Sequence, residues 1–193
     1  MKAVILAAGD GKRLRLGYPK CLIQVDGKSV LDTLISELRG LQIQDISVVV
    51  GFDYKKIKSQ SVKYYMNEIW YNTEEFYSLY TANNEFNDDL LVICGDTIVS
   101  KIDLKTISKA KKDIAILCTK EGSFGGVVKL NKVVCADLKT AKYNYKQGLQ
   151  EAIAGIISGG EFEVVSIQAK NKIYNLDTVQ DLKAVRDLHT VVL

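Results

Sequence analysis

Residues 3–13 read AVILAAGDGKR, and the fold turns on that stretch. Residues 3–6 form a continuous apolar run, the pattern of a short strand buried on both faces. Ala7, Ala8 and Gly9 then withdraw the side chains, so that a ligand can approach the backbone closely. Consecutive N–H groups in such a turn make a concavity for an anion. Arg13 adds planar, paired donors suited to phosphate oxygens, and Lys20 adds a second cation. Pro19, the only proline in the chain, fixes the backbone just before Lys20. The same residues also fit an ordinary strand-to-helix turn with exposed basic side chains, and spacing alone leaves both readings open.

Outward from this strand, residues 46–50, 90–94 and 114–119 are further apolar runs of strand length. Between them Val30, Leu31, Leu34, Ile35 and Leu38 recur on one helical face that Gly40 can terminate. Residues 103–112, 147–158 and 178–188 are further helices by the same pattern, the last following a short strand over 173–176. Residues 125–130 and 132–136 read as a hairpin turning at Asn131. Alternation of strand and helix predicts an α/β fold: one Rossmann-like domain over 1–193, with a mostly parallel sheet, helices on both faces and a small antiparallel insertion. In such sheets ligands bind beyond the carboxyl ends of the strands.

The bulk composition narrows the function classes. At 193 residues, 47% hydrophobic and 25% charged, the chain matches a globular domain large enough to bury a core unaided. A net charge of +3, with lysines dispersed (Lys55, Lys56, Lys58; Lys109, Lys111, Lys112), argues against a nucleic-acid groove. No run reaches membrane-spanning length, and 3–6 is too short for a signal-peptide core; a cytoplasmic location is expected. Cys21, Cys94, Cys118 and Cys135 show no metal-ligand spacing and His189 is the sole histidine, so zinc and Cys/His or Ser/His catalysis are not expected. The dinucleotide fingerprint fails because Leu14 stands where its third glycine belongs. Gly27-Lys28-Ser29 is no Walker loop, because Leu22 takes the first glycine's place.

Two aspartates stand at strand ends. Asp96 follows Gly95 after the run 90–94, and Asp177 lies between the strand over 173–176 and the last helix. Such a pair suits Mg²⁺ held against phosphate oxygens. Asp96 also fits a turn, and Asp177 a helix N-cap with Gln180 at the N3 position.

In their order, Leu6-Ala7-Ala8-Gly9, Gly11, Arg13-Leu14 and then Pro19-Lys20 resemble the signature of the sugar-nucleotidyltransferase superfamily, L-A-A-G-x-G-x-R-[LM] followed by P-K. Residues 92–96, ending in Gly95-Asp96, resemble its central strand. Residues 174–182, with Asp177-Thr178 and Asp181-Leu182, resemble its I-D-T-x-x-D-L segment. The resemblance implies a Mg²⁺-dependent nucleotidyltransferase. It assigns nucleotide binding to Leu6, Ala7, Ala8, Gly9, Gly11 and Lys12, catalysis to Arg13 and Lys20, and the metal to Asp96 and Asp177. The Ala-Ala-Gly form is similar to members using pyrimidine nucleotides, which makes CTP the expected donor. Asn67 with Phe76-Tyr77-Ser78-Leu79 resembles the acceptor region of choline-phosphate and inositol-phosphate cytidylyltransferases, which implies a small phosphorylated acceptor beside Asn67, Glu75, Tyr77 and Ser78. Glu74-Glu75 depart from the paired asparagines of the choline type; they fit either a polar or cationic head group or a helix cap. The aromatics Tyr64, Tyr65, Trp70, Tyr71, Phe76, Tyr77 and Tyr80 fit a core or a cage for a quaternary ammonium. A sugar-1-phosphate uridylyl- or guanylyltransferase, and a nucleotide-binding regulator without turnover, are the alternatives. The apolar tail Val191-Val192-Leu193 fits packing on its own core or on a second copy in a homodimer.

Overall fold

A computed structural model describes residues 1–140, 144, 146–188 and 191–192; His189 and Leu193 lie outside them. In chain order the elements are β1 (Lys2–Ala7), β2 (Gln24–Val25), β3 (Lys28–Ser29), α1 (Val30–Gly40), β4 (Ile46–Val50), β5 (Lys63–Met66), α2 (Glu75–Thr81), β6 (Leu90–Cys94) and β7 (Thr97–Ile98). There follow α3 (Lys101–Ser108), β8 (Ile114–Cys118), β9 (Phe124–Leu130), α4 (Lys132–Leu138), α5 (Leu149–Ser158), β10 (Val164–Gln168), β11 (Tyr174–Asn175), α6 (Val179–Arg186) and β12 (Val191–Val192).

The main sheet has seven strands in the order β10-β8-β9-β6-β1-β4-β5. β1 pairs in parallel with β4 and β6, β4 with β5, and β8 with β10. β9 runs against both of its neighbours, β6 and β8. Alternate residues of β1 face opposite cores, as a two-sided sheet requires. Ala3, Ile5 and Ala7 pack with α1, α3 and α6. Val4 and Leu6 pack with α2, α4 and α5. The parallel sheet with helices on both faces is the expected architecture.

The hairpin expected over 125–136 is half present. Phe124–Leu130 is the antiparallel strand β9, but 132–136 lies in helix α4. Asn131 is its N-cap and not a turn residue: its side chain accepts from the backbone N–H groups of Val133 and Val134. Val134, Cys135 and Leu138 then bury one face while Val133 is 64% exposed. Three β-branched or thiol residues in a row mimic a strand, and a single cap with a helical burial face overrides that propensity. Helix α3 also starts earlier than expected, capped by Ser100, and α5 starts at Leu149. Val191 pairs with Val25 and packs on the chain's own core, as one of the two readings of the tail proposed.

Two short ladders flank the main sheet. β12-β2-β3 closes over the base of α1, and β11 pairs with β7 beside the end of β6. The second ladder brings residue 177, near the C-terminus of the chain, against residue 96.

Candidate active site

The carboxyl ends of the central strands open into one cleft of ≈ 350 Å³. Leu6, Ala7, Ala8 and Gly9 line it, as the chain leaves β1. The crossing is tight: the Gly95 N–H donates to the Leu6 carbonyl at 2.8 Å, and the Phe52 N–H donates to the Ala8 carbonyl at 2.9 Å. Gly11 sits at φ +60°, and its carbonyl accepts from the Leu14 N–H at 2.8 Å. A Cβ there would stand 2.5 Å from Cγ of Lys20, so the missing side chain leaves the lane that the lysine stem occupies. Gly11→Ala is therefore expected to cost about 1–2 kcal/mol from the left-handed conformation alone and to displace Lys20. A melting temperature and nucleotide affinity both equal to wild type would contradict this.

Four charged side chains meet at the mouth of the loop. The Lys20 ammonium donates to a carboxylate oxygen of Asp96 and, at 2.9 Å, to Oδ1 of Asp177. Arg13 Nη2 donates to the same Asp177 oxygen at 2.7 Å. Lys20 and Asp96 are mostly buried, whereas Arg13 extends into solvent. Burial by itself would lower the lysine pKa, but Asp96 and Asp177 reverse that and raise it above its ordinary value. Lys20 therefore stays protonated across the neutral range.

Asp177 reaches this cluster because it does not cap helix α6. Thr178 is the N-cap, accepting from the Asp181 N–H while the Asp181 carboxylate accepts from Thr178 in return. The cap reading of Asp177 with Gln180 is thus corrected by one residue, which leaves the Asp177 carboxylate facing the cleft. The Leu176 N–H donates to the Asp96 carbonyl at 3.1 Å, tying the two aspartate segments together.

The facing wall comes from α2 and the loop before it. Trp70, Thr73, Glu74, Glu75 and Ser78 line the cleft. Glu74 takes the N-cap position of α2, yet its side chain makes no capping bond. Burial raises the Glu74 carboxyl above its ordinary value, the neighbouring Glu75 raises it further, and Lys12 and Arg13 oppose both. Asn67 does not line the cleft. It is 1% exposed and braces the loop, donating to Thr73 Oγ1 at 2.9 Å and Ser78 Oγ at 3.0 Å while its Oδ1 accepts from the Ile69 N–H at 3.1 Å. Tyr77 is also outside the lining, and Lys12 reaches into solvent beside Asp10. Of the seven aromatics weighed for a cage, Trp70 lines the cleft; its ring packs edge-on against Phe52 with centroids 5.3 Å apart. Tyr65 instead donates to Glu85 and Phe76 is in the core. Sequence reasoning did not single out Phe124, Gly126, Gly148 or Asn175, which also line the cleft, Gly148 beside Glu75 and Gly126 beside Asn175. They sit at element ends that only the sheet order brings together, although a glycine pair opening an apolar strand at 125–126 was a visible signal.

Residues 3–160 match the family described as the MobA-like NTP transferase domain. The chain belongs to that family. A choline-phosphate cytidylyltransferase of Streptococcus pneumoniae is 38% identical over 100 residues, 48% of this chain and 43% of that protein. A bifunctional protein GlmU of Fervidobacterium nodosum is 30% identical over 177 residues, 84% of this chain and 38% of that protein. The matched segments span less than half the length of these curated relatives. Among solved structures, the CTP:phosphocholine cytidylyltransferase of S. pneumoniae superposes with a TM-score of 0.77 at 22% identity, covering 97% of this chain and 98% of the other. The inositol-1-phosphate CTP transferase of T. maritima gives 0.78 at 17%, covering 96% and 95%. Both share the fold of this NTP transferase domain.

Proposed function

We propose that the chain moves a nucleotidyl group, CMP from CTP, onto a small phosphorylated acceptor and releases pyrophosphate. The observation that carries this reading is the meeting of Arg13, Lys20, Asp96 and Asp177 at the mouth of the loop 7–9. Similarity to a choline-phosphate cytidylyltransferase supports the choice of CTP and of a small acceptor.

The donor set at this point fits a divalent ion. Asp96 and Asp177 turn oxygens onto one cation, the Lys20 ammonium, and two carboxylates completed by substrate phosphate are what Mg²⁺ favours. Asp96 and Asp177 would hold it, and the bound ion would neutralise phosphate charge. The protein's own groups do the rest. Backbone N–H groups of the loop cradle the phosphates, and Arg13 exchanges Asp177 for oxygens of the departing pyrophosphate. Lys20, kept protonated by its two aspartates, stabilises the charge that grows at the α-phosphoryl group. An acceptor phosphate oxygen, already ionised near neutral pH, attacks the α-phosphorus in line. The new P–O bond forms as the α–β bridging P–O bond breaks, and no covalent enzyme intermediate is required.

The test is pyrophosphate release with Mg²⁺, each NTP assayed against choline, ethanolamine, inositol and sugar phosphates. A CTP-dependent signal with one small phosphate is the expected result. Preference for UTP or GTP with a sugar 1-phosphate would favour the second reading. CTP binding with silence across the panel would favour a regulator without turnover.

A further inference from the structure

Asn175 lies on the far side of Asp96 from the nucleotide loop, in the short β11 strand, and lines the cleft with Gly126 and Phe124. In the β7-β11 ladder it stands opposite Thr97. Thr97 is fully buried, and its hydroxyl donates to Asn175 Oδ1 at 2.8 Å. With the oxygen engaged, the amide nitrogen is turned away from Thr97, and it makes no hydrogen bond among the described residues. The arrangement depends on Gly126. It sits at φ +74°, and a Cβ there would stand 2.2 Å from Thr97 Oγ1 and 3.0 Å from Asn175 Oδ1. Three positions distant in sequence are therefore committed to holding one side-chain amide in one orientation.

We propose that Asn175 is an acceptor-binding residue, its side-chain N–H₂ donating to an oxygen of the phosphate that the acceptor carries. This rests on the transfer reading above. The loop 7–9, Arg13 and Lys20 occupy the β1 side, which leaves the β9 side, where Gly126, Phe124 and Asn175 lie, open to the second substrate. A neutral donor is the chemistry this place requires. A lysine or arginine beside Asp96 and Asp177 would be drawn into pairing with them, as Lys20 is, whereas an amide is not and stays available. Fixed by Thr97, it meets the phosphate oxygen without losing rotamer freedom on binding.

Two variants separate this role from a structural one. Asn175→Asp is isosteric and still accepts from Thr97, but it exchanges the N–H₂ donor for a negative oxygen. Thr97→Val keeps the buried shape and removes only the hydroxyl that orients the amide. The readouts are KM for the acceptor and kcat in the pyrophosphate-release assay, CTP affinity by calorimetry, and melting temperature. For Asn175→Asp the expected result is an acceptor KM raised by roughly tenfold to a hundredfold, with CTP affinity within about twofold of wild type. Thr97→Val is expected to raise the acceptor KM in the same direction by about threefold to tenfold. An unchanged acceptor KM in Asn175→Asp, with wild type active, would overturn the assignment alone. So would a CTP affinity that falls as far as the acceptor KM rises. A wild type silent with every acceptor, by contrast, would overturn the transfer reading and this assignment with it.

Discussion

Asp96→Asn is expected to lower kcat by roughly 10³-fold while the melting temperature stays close to that of wild type. The substitution keeps the shape and the hydrogen-bonding reach of the side chain and deletes its charge. Among the described residues Lys20 then keeps Asp177 as its anionic partner, at 2.9 Å, and the pair of carboxylates facing it is reduced to one. In the proposed transfer this site neutralises charge at the α-phosphoryl group, so the loss is expected to fall on kcat more than on CTP affinity. Steady-state pyrophosphate release and CTP calorimetry on the same preparation separate the two. Near-normal turnover would falsify the role given to Asp96.

Glu85→Ala is expected to cost about 3 kcal/mol of stability, because it removes one partner of a buried ion cluster. That corresponds to a fall of roughly 6–12 °C in melting temperature for a domain of this size. Glu85 is 3% exposed, at the opposite end of the sheet from the cleft. It accepts from Lys2 at 2.6 Å, from Tyr65 at 2.6 Å and from Lys63 at 3.2 Å. These bonds join β1 to β5, two strands apart in the sheet, through the turn after α2. Lys2 keeps Asp45 at 3.6 Å, which holds the cost to the lower end of the range. Burial would raise the Glu85 carboxyl, but the bonds from Lys2, Tyr65 and Lys63 outweigh it and hold the group at about 2 against an ordinary 4.5. A pKa lower in the folded than in the unfolded chain stabilises the fold above the unfolded value, and that contribution fades as pH falls through the folded one. The gap in melting temperature between wild type and Glu85→Gln is therefore expected to be full above about pH 5 and to close as pH falls from 4.5 towards 2. A gap independent of pH would show that the charge of Glu85 contributes nothing.

Much of the fold is legible locally, because its signals are local. The apolar runs 46–50 and 90–94 have the same bounds as β4 and β6. Apart from Ser47 they are apolar on both faces, and a run of that length leaves little choice once turns bound it. The α1 helix shows its face in five apolar residues and its end at Gly40. The antiparallel strand β9 is legible too, but its continuation is not. Lys132-Val133-Val134-Cys135-Ala136 has strand propensity, and the choice goes to the helix through the Asn131 cap and burial against the sheet.

By itself the sequence determined the alternation of strand and helix, the small-residue loop after the first strand, and the basic residues close behind it. Arg13 and Lys20 are near that loop in the chain, and their chemistry is evident from their type. Only the tertiary structure decided which carboxylates they meet. Lys20 and Asp96 are separated by 76 positions, and Arg13 and Asp177 by 164; no periodicity links such pairs. The sheet order places β6 beside β1, and the β7-β11 ladder carries the end of the chain back to it. The same applies to Asn67, which the sequence offered as an acceptor ligand and the structure uses as a brace. A side chain's type fixes what it can bind, and packing fixes which partner it faces.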